Sequence, residues 1–369
     1  GVRRHVRFLA EGLHRRGIPV ALLLSPLRPD GDFGRDLRYY EQAGIDVKLL
    51  RIPRGPAPLR DMYALLRTRF HARRSRTAIL HTHATKAGII GRLAAPRTIR
   101  TVHSPHAFFF QAFENNLART AGIRLERGLA GRTNRYAFVS EAEAAVARDH
   151  CSIPEDKARI VANALPDRVL DGFLSRDAAR TRLQIPQNTR AVGVIGRLCR
   201  QKGHDWLLRA LAKTDLARGY LHLYIFGTGP EYDALQALAH KLGVAPHIRW
   251  LGYVPDAARF LPALDGVLIP SRYEALSYNL LESLAAGIPV VASDIPGNHP
   301  GRGVDACITF VPPEDEDALA KAIGHMAQAP ETLIEKAREA KRRVRQDFRL
   351  DRQLDELQTL YEELLGAGI

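Results

Sequence analysis

The chain has 369 residues, of which 46% are hydrophobic, and its formal net charge at pH 7 is +14. This length exceeds the usual size of one domain and predicts two domains, each with its own core. The three cysteines, Cys151, Cys199 and Cys307, lie too far apart for a disulfide framework or a cysteine metal site, which favours a reducing cytoplasm. The sequence has no signal-peptide pattern and no run of 18 apolar residues, so neither export nor a transmembrane helix is expected.

Basic residues are concentrated in the first half of the chain. Residues 1–170 contain 30 Lys and Arg residues and 15 Asp and Glu residues, whereas the remaining residues contain 24 and 25. Such an excess indicates an anionic partner, which is a phospholipid surface, a phosphorylated acceptor or a nucleic acid. An Arg-rich solvated surface without a specific partner explains the same composition.

Short apolar segments alternate with longer segments of helical period, a pattern that predicts βαβ units on parallel sheets. The expected strands of the first series are PVALLLS, DVKLLRI, AILHTHA, IRTVHS and RYAFVS, and those of the second are AVGVIG, LHLYIFG, IRWLG, GVLIPS, PVVAS and ITFVP. We expect a first domain over residues 1–168, a second over 169–345, and a C-terminal helix over 346–369 that packs back on the first. Residues 164–190 have no strand pattern and are expected to form the hinge region.

The first predicted element is a helix that begins directly after Gly1. A doubly wound sheet normally begins with a strand whose glycine-rich turn leads into the first helix. The sequence therefore predicts that this initiating strand is absent.

Four histidines lie at the ends of two predicted strands. His81 and His83 lie two residues apart and share a strand face, and His103 and His106 end the next strand. A zinc site is conceivable here, but no cysteine or paired carboxylate joins these histidines, so no metal is expected. We expect His103 to contact the substrate instead, because its strand end faces the ligand edge of the sheet.

A run of aromatic residues follows, with Phe108, Phe109, Phe110 and Phe113 close together in the sequence. Burial in the core is the commoner fate of such residues. Exposed beside the basic helices, they would form a lipid-facing patch. The sequence leaves both alternatives open.

Two glycine-containing loops follow strands of the second series. The segment GRLCRQKG begins at Gly196 and carries Arg197 and Lys202, which are spaced to reach one diphosphate and to stabilise charge that develops on a leaving group. The segment FGTGPEYDAL adds Gly227 and Gly229 at the next strand end. Because parallel strands end at the same edge of a sheet, these loops are expected at the edge where α/β folds bind ligands.

The segment SRYEALSYNLLESLAAG predicts a strand end, a loop with Glu274 and a helix that begins near Ser277. Unpaired N–H groups at a helix start stabilise an anion, so a diphosphate is expected before Leu276, Ser277 and Tyr278. Glutamates are usually solvated surface charges. Glu282, however, lies among leucines, where an unpaired carboxylate costs several kcal/mol. Two carboxylates beside a diphosphate can accept hydrogen bonds from vicinal hydroxyls.

At these residues the sequence resembles glycosyltransferase family 4, the retaining GT-B enzymes that include bacterial lipopolysaccharide, capsule and mannoside transferases. The likeness covers essentially the whole chain except the first strand. It is carried by the E-x7-E pattern from Glu274 to Glu282, the GRL-x3-KG loop, the linker position of Asn163 and the strand end TVH at His103. The sequence departs from the family at ALSY, which replaces a common G-F-G-L after the first glutamate, and at Ala164, which replaces a linker glycine.

The resemblance implies an α/β fold of the GT-B class, in which two Rossmann-like domains face each other across a central cleft. The first domain would bind the acceptor and the second a nucleotide diphosphate sugar. Glu274 would then contact the sugar, Glu282 the ribose, and Arg197 with Lys202 the diphosphate. The resemblance also implies a retaining, metal-independent transfer by front-face substitution assisted by the leaving phosphate.

We therefore predict a retaining hexosyltransferase that uses a UDP- or GDP-sugar and a lipid-linked or saccharide acceptor in the synthesis of a cell-surface polysaccharide, such as lipopolysaccharide, or a glycolipid. The expected catalytic residues are His103, Arg197, Lys202 and Glu274. The expected donor-binding residues are Gly196, Arg197, Lys202, Gly227, Gly229, Glu274, Leu276, Ser277, Tyr278 and Glu282. The expected acceptor-side residues are Gly1, Lys86, His103, Ser104 and His106. No metal and no cofactor besides the donor substrate are expected.

The expected location is cytoplasmic and peripheral, at the inner face of the plasma membrane, where the basic first half would bind anionic lipid. Two alternatives are a sugar-nucleotide epimerase of the same fold and a catalytically inactive, basic peripheral membrane protein. A nucleic-acid-binding protein is disfavoured, because the two glutamates and the near-neutral second half have no role in phosphate-backbone binding.

Overall fold

The computed structural model describes residues 1–27, 32–53, 55–75, 77–113, 115–214, 221–328 and 330–366. They form two compact units: unit 1 is Gly1–Asn163 with Leu350–Ile369, and unit 2 is Ala164–Arg349. The chain enters unit 2 a few residues before the boundary expected at residue 168 and leaves it shortly after residue 346. None of the helices in these ranges has both the length and the hydropathy that a membrane crossing requires.

Unit 1 alternates strands with helices. Its strands are β1 (Ala21–Leu24), β2 (Asp46–Leu49), β3 (Ile79–His83), β4 (Arg100–Ser104), β5 (Arg135–Phe138) and β6 (Ala158–Ile160). Its helices are α1 (Val2–Arg15), α2 (Phe33–Gln42), α3 (Pro58–Arg74), α4 (Thr85–Ala94), α5 (Asn116–Ala130), α6 (Glu141–Cys151) and α14 (Leu350–Leu365). All strand pairs are parallel, with β1 on β2 and a separate sheet in the order β3-β4-β5-β6. Within the described ranges no strand joins the two sheets.

Side-chain caps and small residues explain several of these elements. The Asn115 side chain accepts from the N–H groups of Leu117 and Ala118, which starts α5 after a run of irregular chain. Gly88 allows α4 to pack on the sheet, because a Cβ there would lie 2.3 Å from the His103 ring. Helix α4 therefore lies close enough to cover His103 completely.

The aromatic run after β4 is mostly buried. Phe108 and Phe110 pack with Tyr136 and Phe138 in the core of unit 1, whereas Phe113 is 41% exposed. Burial, the first of the two alternatives open in the sequence, therefore holds for Phe108 and Phe110. These two rings do not form a lipid-facing patch.

The C-terminal helix α14 packs on α1 within unit 1. Its apolar stripe, Leu354, Leu357 and Leu360, is buried as the spacing of three residues requires. Gly12 of α1 makes the contact possible, since a Cβ there would lie 2.4 Å from a methyl group of Leu354.

Unit 2 is built around one six-stranded parallel sheet. Its strands are β7 (Arg190–Ile195), β8 (Leu221–Phe226), β9 (Ile248–Gly252), β10 (Gly266–Ile269), β11 (Val290–Ser293) and β12 (Thr309–Val311). Its helices are α7 (Asp167–Leu170), α8 (Arg176–Leu183), α9 (His204–Ala212), α10 (Tyr232–Lys241), α11 (Tyr278–Ala286), α12 (Glu316–Ala327) and α13 (Glu331–Asp347). The strand order is β12-β11-β10-β7-β8-β9, so the order reverses between β7 and β10. Such a reversal is the point at which open α/β sheets bind ligands beyond the carboxyl ends of the strands.

Candidate functional site

The loops after β7, β8 and β9 are hydrogen-bonded to one another at the carboxyl edge of the unit 2 sheet. The Gly196 N–H donates to the Phe226 carbonyl at 2.9 Å, and the Leu198 N–H donates to the Thr228 carbonyl at 3.0 Å. The Gly227 N–H donates to the carbonyl of Gly252 at the end of β9, at 2.7 Å. The structure thus brings together the two glycine-containing segments that the sequence placed at this edge.

Close backbone approach explains the glycines in these loops. A Cβ on Gly227 would lie 1.9 Å from the Gly196 carbonyl oxygen, and a Cβ on Gly229 would lie 2.1 Å from the Leu198 carbonyl oxygen. Neither position has room for any other residue. Loop backbone therefore lies directly against loop backbone, as a phosphate cradle requires.

Lys202 and Glu274 form an ion pair between the loops after β7 and β10. The Lys202 Nζ lies 2.5 Å from Glu274 Oε1, and the same carboxylate oxygen accepts from the Ser271 hydroxyl at 2.8 Å. Both charged side chains are largely buried, so their interaction is screened less than a surface pair. Two of the four residues expected to be catalytic therefore lie in direct contact.

Backbone contacts fix the two loops that carry this pair. The Arg272 N–H donates to the Gln201 carbonyl at 2.8 Å, and the Gln201 side chain donates to the Tyr273 carbonyl at 3.0 Å. Gly203 has φ of +67°, and a Cβ there would lie 1.9 Å from the Pro270 carbonyl oxygen. The position of Lys202 relative to Glu274 is thus determined by backbone on both sides.

Helix α11 follows the Glu274 loop. Ser277 occupies the N-cap position, although its side chain makes no capping hydrogen bond, and Gly287 ends the helix with φ of +75°. The Asn279 side chain donates to the carbonyl of Ile195, which ties the helix start to the end of β7. The partial positive charge at a helix start favours an anion at this position.

Three further residues predicted on the donor side differ in how exposed their side chains are. Arg197 is exposed and forms no ion pair within the part of the chain that the structure describes, so its guanidinium is available to a ligand. Glu282 is only 1% exposed, and Leu276 is also buried. Glu282 is therefore not the solvated surface charge that a lone glutamate usually is.

Residues predicted on the acceptor side are more dispersed within unit 1. His103 is fully buried and its Nδ1 lies 2.9 Å from the Thr82 hydroxyl, while Ser104 donates to the Ala137 carbonyl at 2.7 Å. The Nζ of Lys86 donates to Asp61 Oδ2 at 2.6 Å. In this conformation neither His103 nor Ser104 presents its side chain to a substrate.

The two remaining acceptor-side residues lie nearer the surface of unit 1. Gly1 is exposed at the start of α1, and His106 is partly buried two residues after β4. Of the five residues predicted on this side, Gly1, Lys86 and His106 keep part of their surface exposed.

The sequence analysis did not single out three residues that hold Glu274 and α11 in place. The Ser271 hydroxyl donates to Glu274, the Asn279 side chain donates to the end of β7, and a Cβ on Gly297 would lie 2.0 Å from the Glu274 carbonyl oxygen. The signal for Gly297 was its place four residues after the end of β11, in the segment SDIPGN. Ser271 and Asn279 have no distinguishing sequence pattern, because their role depends on which strand ends meet.

Comparison with known proteins identifies matching families. A family model described as Glycosyltransferase Family 4 matches residues 1–168, and one described as Glycosyl transferases group 1 matches residues 189–329. Together the two models cover most of the chain.

Individual proteins give the same result. An uncharacterized glycosyltransferase of Methanocaldococcus jannaschii is 26% identical in a match that covers 87% of this chain and 83% of that protein. The lipopolysaccharide core biosynthesis glycosyltransferase LpsE of Rhizobium meliloti is 35% identical over 31% of this chain and 32% of its own length. The solved structure of HepE from Anabaena in complex with UDP-glucose has 20% identity and a TM-score of 0.79, and the superposition covers 99% of this chain and 96% of that one.

Proposed function

This chain is a group 1 glycosyltransferase of glycosyltransferase family 4 with the GT-B fold, and from that membership we propose that it transfers a hexosyl unit from a UDP- or GDP-sugar with retention of configuration. The observation that carries the proposal is the buried contact of Lys202 with Glu274 beside the start of α11. These groups place a cation, a carboxylate and a helix start at one sheet edge.

The donor diphosphate would bind between the loop of Lys202 and the first turn of α11. Its oxygens would compete with Glu274 for the Lys202 ammonium and accept from the helix N–H groups. Glu274, released from this pair, would then accept hydrogen bonds from hydroxyls of the transferred sugar. The exposed guanidinium of Arg197 would add a second cation to the diphosphate.

Transfer would proceed by front-face substitution. The bond from the anomeric carbon to the leaving phosphate oxygen breaks, the acceptor hydroxyl oxygen forms its bond to the same face, and its proton passes to the leaving phosphate. Negative charge grows on that phosphate, where Lys202 and Arg197 would stabilise it more strongly than water does. The step uses no enzymic nucleophile and no metal.

We assign the ribose hydroxyls to Glu282. The spacing of Glu282 from Glu274, which resembles the family pattern, supports this role, and vicinal hydroxyls can donate two hydrogen bonds to one carboxylate. The UDP-glucose complex of the Anabaena structure makes UDP the first nucleotide to test.

We propose an acceptor at the membrane surface, because α3 has an exposed apolar face with basic flanks. Five large apolar residues form this face, and they recur at helical spacing: Leu59, Met62, Tyr63, Leu66 and Phe70. Their exposure ranges from 88% at Leu59 to 49% at Phe70. Arg67, Arg73 and Arg74 are exposed on the same helix. An apolar face with arginines beside it fits an anionic lipid surface, and the lipopolysaccharide role of LpsE suggests a lipid-linked saccharide as acceptor.

Calorimetric titration with UDP, UMP and uridine tests the donor site. We expect UDP to bind at least about tenfold more tightly than UMP, because the β-phosphate adds charge-assisted hydrogen bonds. Lys202→Ala should remove most of this difference and leave uridine binding unchanged. Lys241→Ala, the same change at an exposed lysine of unit 2, is the control. Equal affinities for UDP and UMP in the wild type would refute the site.

A further inference from the structure

Unit 1 contains a histidine cluster that the proposed transfer step does not use. His5 lies on α1, His83 is the last residue of β3, and His106 follows β4 by two residues. One ring nitrogen of each lies within 4.8 Å of the corresponding nitrogens of the other two. The Nδ1 of His83 lies 3.1 Å from the Nε2 of His106, and the His5 and His106 ring centres are 4.5 Å apart.

We propose that His5, His83 and His106 bind one zinc ion. With Zn–N bonds of about 2.0–2.1 Å, two nitrogens of a tetrahedral site lie about 3.3 Å apart, close to the observed His83–His106 separation. The ligand nitrogen of His5 lies within 4.8 Å of the other two, and a shift of the ring towards them would complete the site. Three imidazoles without a thiolate match the donor set of zinc sites that keep one position for water.

The contact between His83 and His106 is a hydrogen bond in which one ring nitrogen donates and the other accepts. A bound ion would take the place of the proton between these two nitrogens, and that proton would move to the other nitrogen of the ring that carried it. Burial lowers the pKa of His5 to about 4 and holds the pKa values of His83 and His106 well below the usual histidine value.

Neighbouring groups orient the rings. The Nδ1 of His5 lies 2.9 Å from the Asn163 amide oxygen, which only accepts, so Nδ1 carries the proton and Nε2 presents the lone pair. The ring centres of His81 and His83 are 4.2 Å apart. Both ring nitrogens of His81, however, are hydrogen-bonded, one to the Tyr361 hydroxyl and the other to the Ser104 hydroxyl. His81 is therefore a neighbour of the site and not a ligand.

The chain around His106 adopts a strained turn. His106 and Ala107 have φ of +56° and +75°, a region that costs a non-glycine residue about 1–3 kcal/mol. The buried carboxylate of Glu143 holds this turn by accepting from the Ala107 N–H at 2.7 Å and the Val139 N–H at 2.9 Å. The strain is maintained by a dedicated partner and directs the His106 ring towards His83.

A bound ion would connect α1 to the ends of β3 and β4. Zinc would therefore stabilise unit 1 as well as occupy the cluster. No step of the proposed transfer passes through the ion.

Zinc titration of the chelator-treated full chain tests the proposal, with Co²⁺ as a spectroscopic probe. The wild type should bind one ion per chain, gain thermal stability on binding and give the strong visible bands of tetrahedral Co²⁺. His83→Ala and His106→Ala should each weaken zinc binding at least tenfold, because loss of even a hydrogen-bond partner of a ligand lowers affinity by about 10–100-fold. His14→Ala, which removes a histidine of α1 outside the cluster, should bind zinc like the wild type.

Asn163→Ala keeps all three ligands and should weaken zinc binding about 10–100-fold through loss of the His5 hydrogen bond. It serves as the second test where circular dichroism shows that a ligand variant is unfolded. A wild type that binds no stoichiometric zinc would overturn the proposal. Zinc affinity unchanged in the folded variants, or reduced equally in His14→Ala, would also overturn it. Titration of the same samples with UDP reports separately on the donor site.

Discussion

The contact between Lys202 and Glu274 shows how two loops bring charged side chains together at the carboxyl edge of the unit 2 sheet. Glu274 lies in the loop after β10, and Lys202 is the last residue of a short 3₁₀ turn after β7. The contact exists because Gly203 allows the first loop to lie against the Pro270 carbonyl and because Arg272 and Gln201 bond across it. Backbone fit, and not the ion pair alone, places the charges.

Gly203→Ala should be strongly destabilising. The new methyl group would lie 1.9 Å from a carbonyl oxygen, and the left-handed φ adds about 1 kcal/mol. We expect a total loss of at least about 3 kcal/mol in the free energy of unfolding, measured by chemical denaturation. Gly243→Ala is the matched control, because Gly243 has φ of +71° but no neighbour within 4 Å. Equal losses in both variants would show that close packing at Gly203 is unimportant.

The structure brings the expected residues Lys202 and Glu274 into contact, whereas it buries His103 and Ser104, which were expected on the acceptor side. Glycines, arginine and lysine directly after strands point to a phosphate edge whatever the details of packing. His103 is buried because its side chain lies on the face of the sheet that α4 covers and because Gly88 lets α4 pack closely there. The motif at the end of β4 does not contain this information. The histidine cluster likewise joins three distant parts of the sequence, and no local pattern could reveal it.

At the scale of elements, α3 differs from the other helices of unit 1 in the apolar face it exposes. The five apolar residues from Leu59 to Phe70 lie on one side, while Ala64, Thr68 and Ala72 are buried on the other. These small buried residues let α3 pack closely against the rest of unit 1. The large apolar residues remain exposed, which is the basis of the proposed contact with a membrane surface.

Binding to anionic lipid vesicles should depend on this helix. Replacing Leu66 and Phe70 together by serine should weaken binding to phosphatidylglycerol vesicles at least tenfold, since each side chain contributes about 1–2 kcal/mol when its exposed part enters lipid. Leu117→Ser with Leu125→Ser, the same change on exposed leucines of α5, is the control. Vesicle co-sedimentation provides the measurement. Equal binding by both double variants would rule out α3 as the contact.

Strand periodicity predicted the sheets well. Each of the eleven expected strands is present, and the strand over 248–252 has the predicted bounds. The sequence missed β6 (Ala158–Ile160), because its three residues are all partly exposed and have no apolar run. Its position at the edge of the sheet depends on tertiary pairing with β5.

At the scale of the whole molecule, the sequence predicted two α/β units and a C-terminal helix associated with the first. The apolar stripe of α14 indicated that it must dock, and Gly12 of α1 provides the surface. The structure divides the strands of unit 1 between two separate sheets, and the period of a strand does not show which strands pair. The chain's membership in a glycosyltransferase family rests on matches in both units.

The most direct test of the account is product analysis by mass spectrometry. Wild type, Lys202→Ala and Lys241→Ala would be incubated with UDP- and GDP-sugars, a bacterial lipid extract and simple saccharides. We predict a glycoside product and free nucleoside diphosphate from the wild type and Lys241→Ala, with turnover at least about 100-fold lower in Lys202→Ala. An epimerised donor without glycoside, or undiminished turnover in Lys202→Ala, would contradict the proposed mechanism.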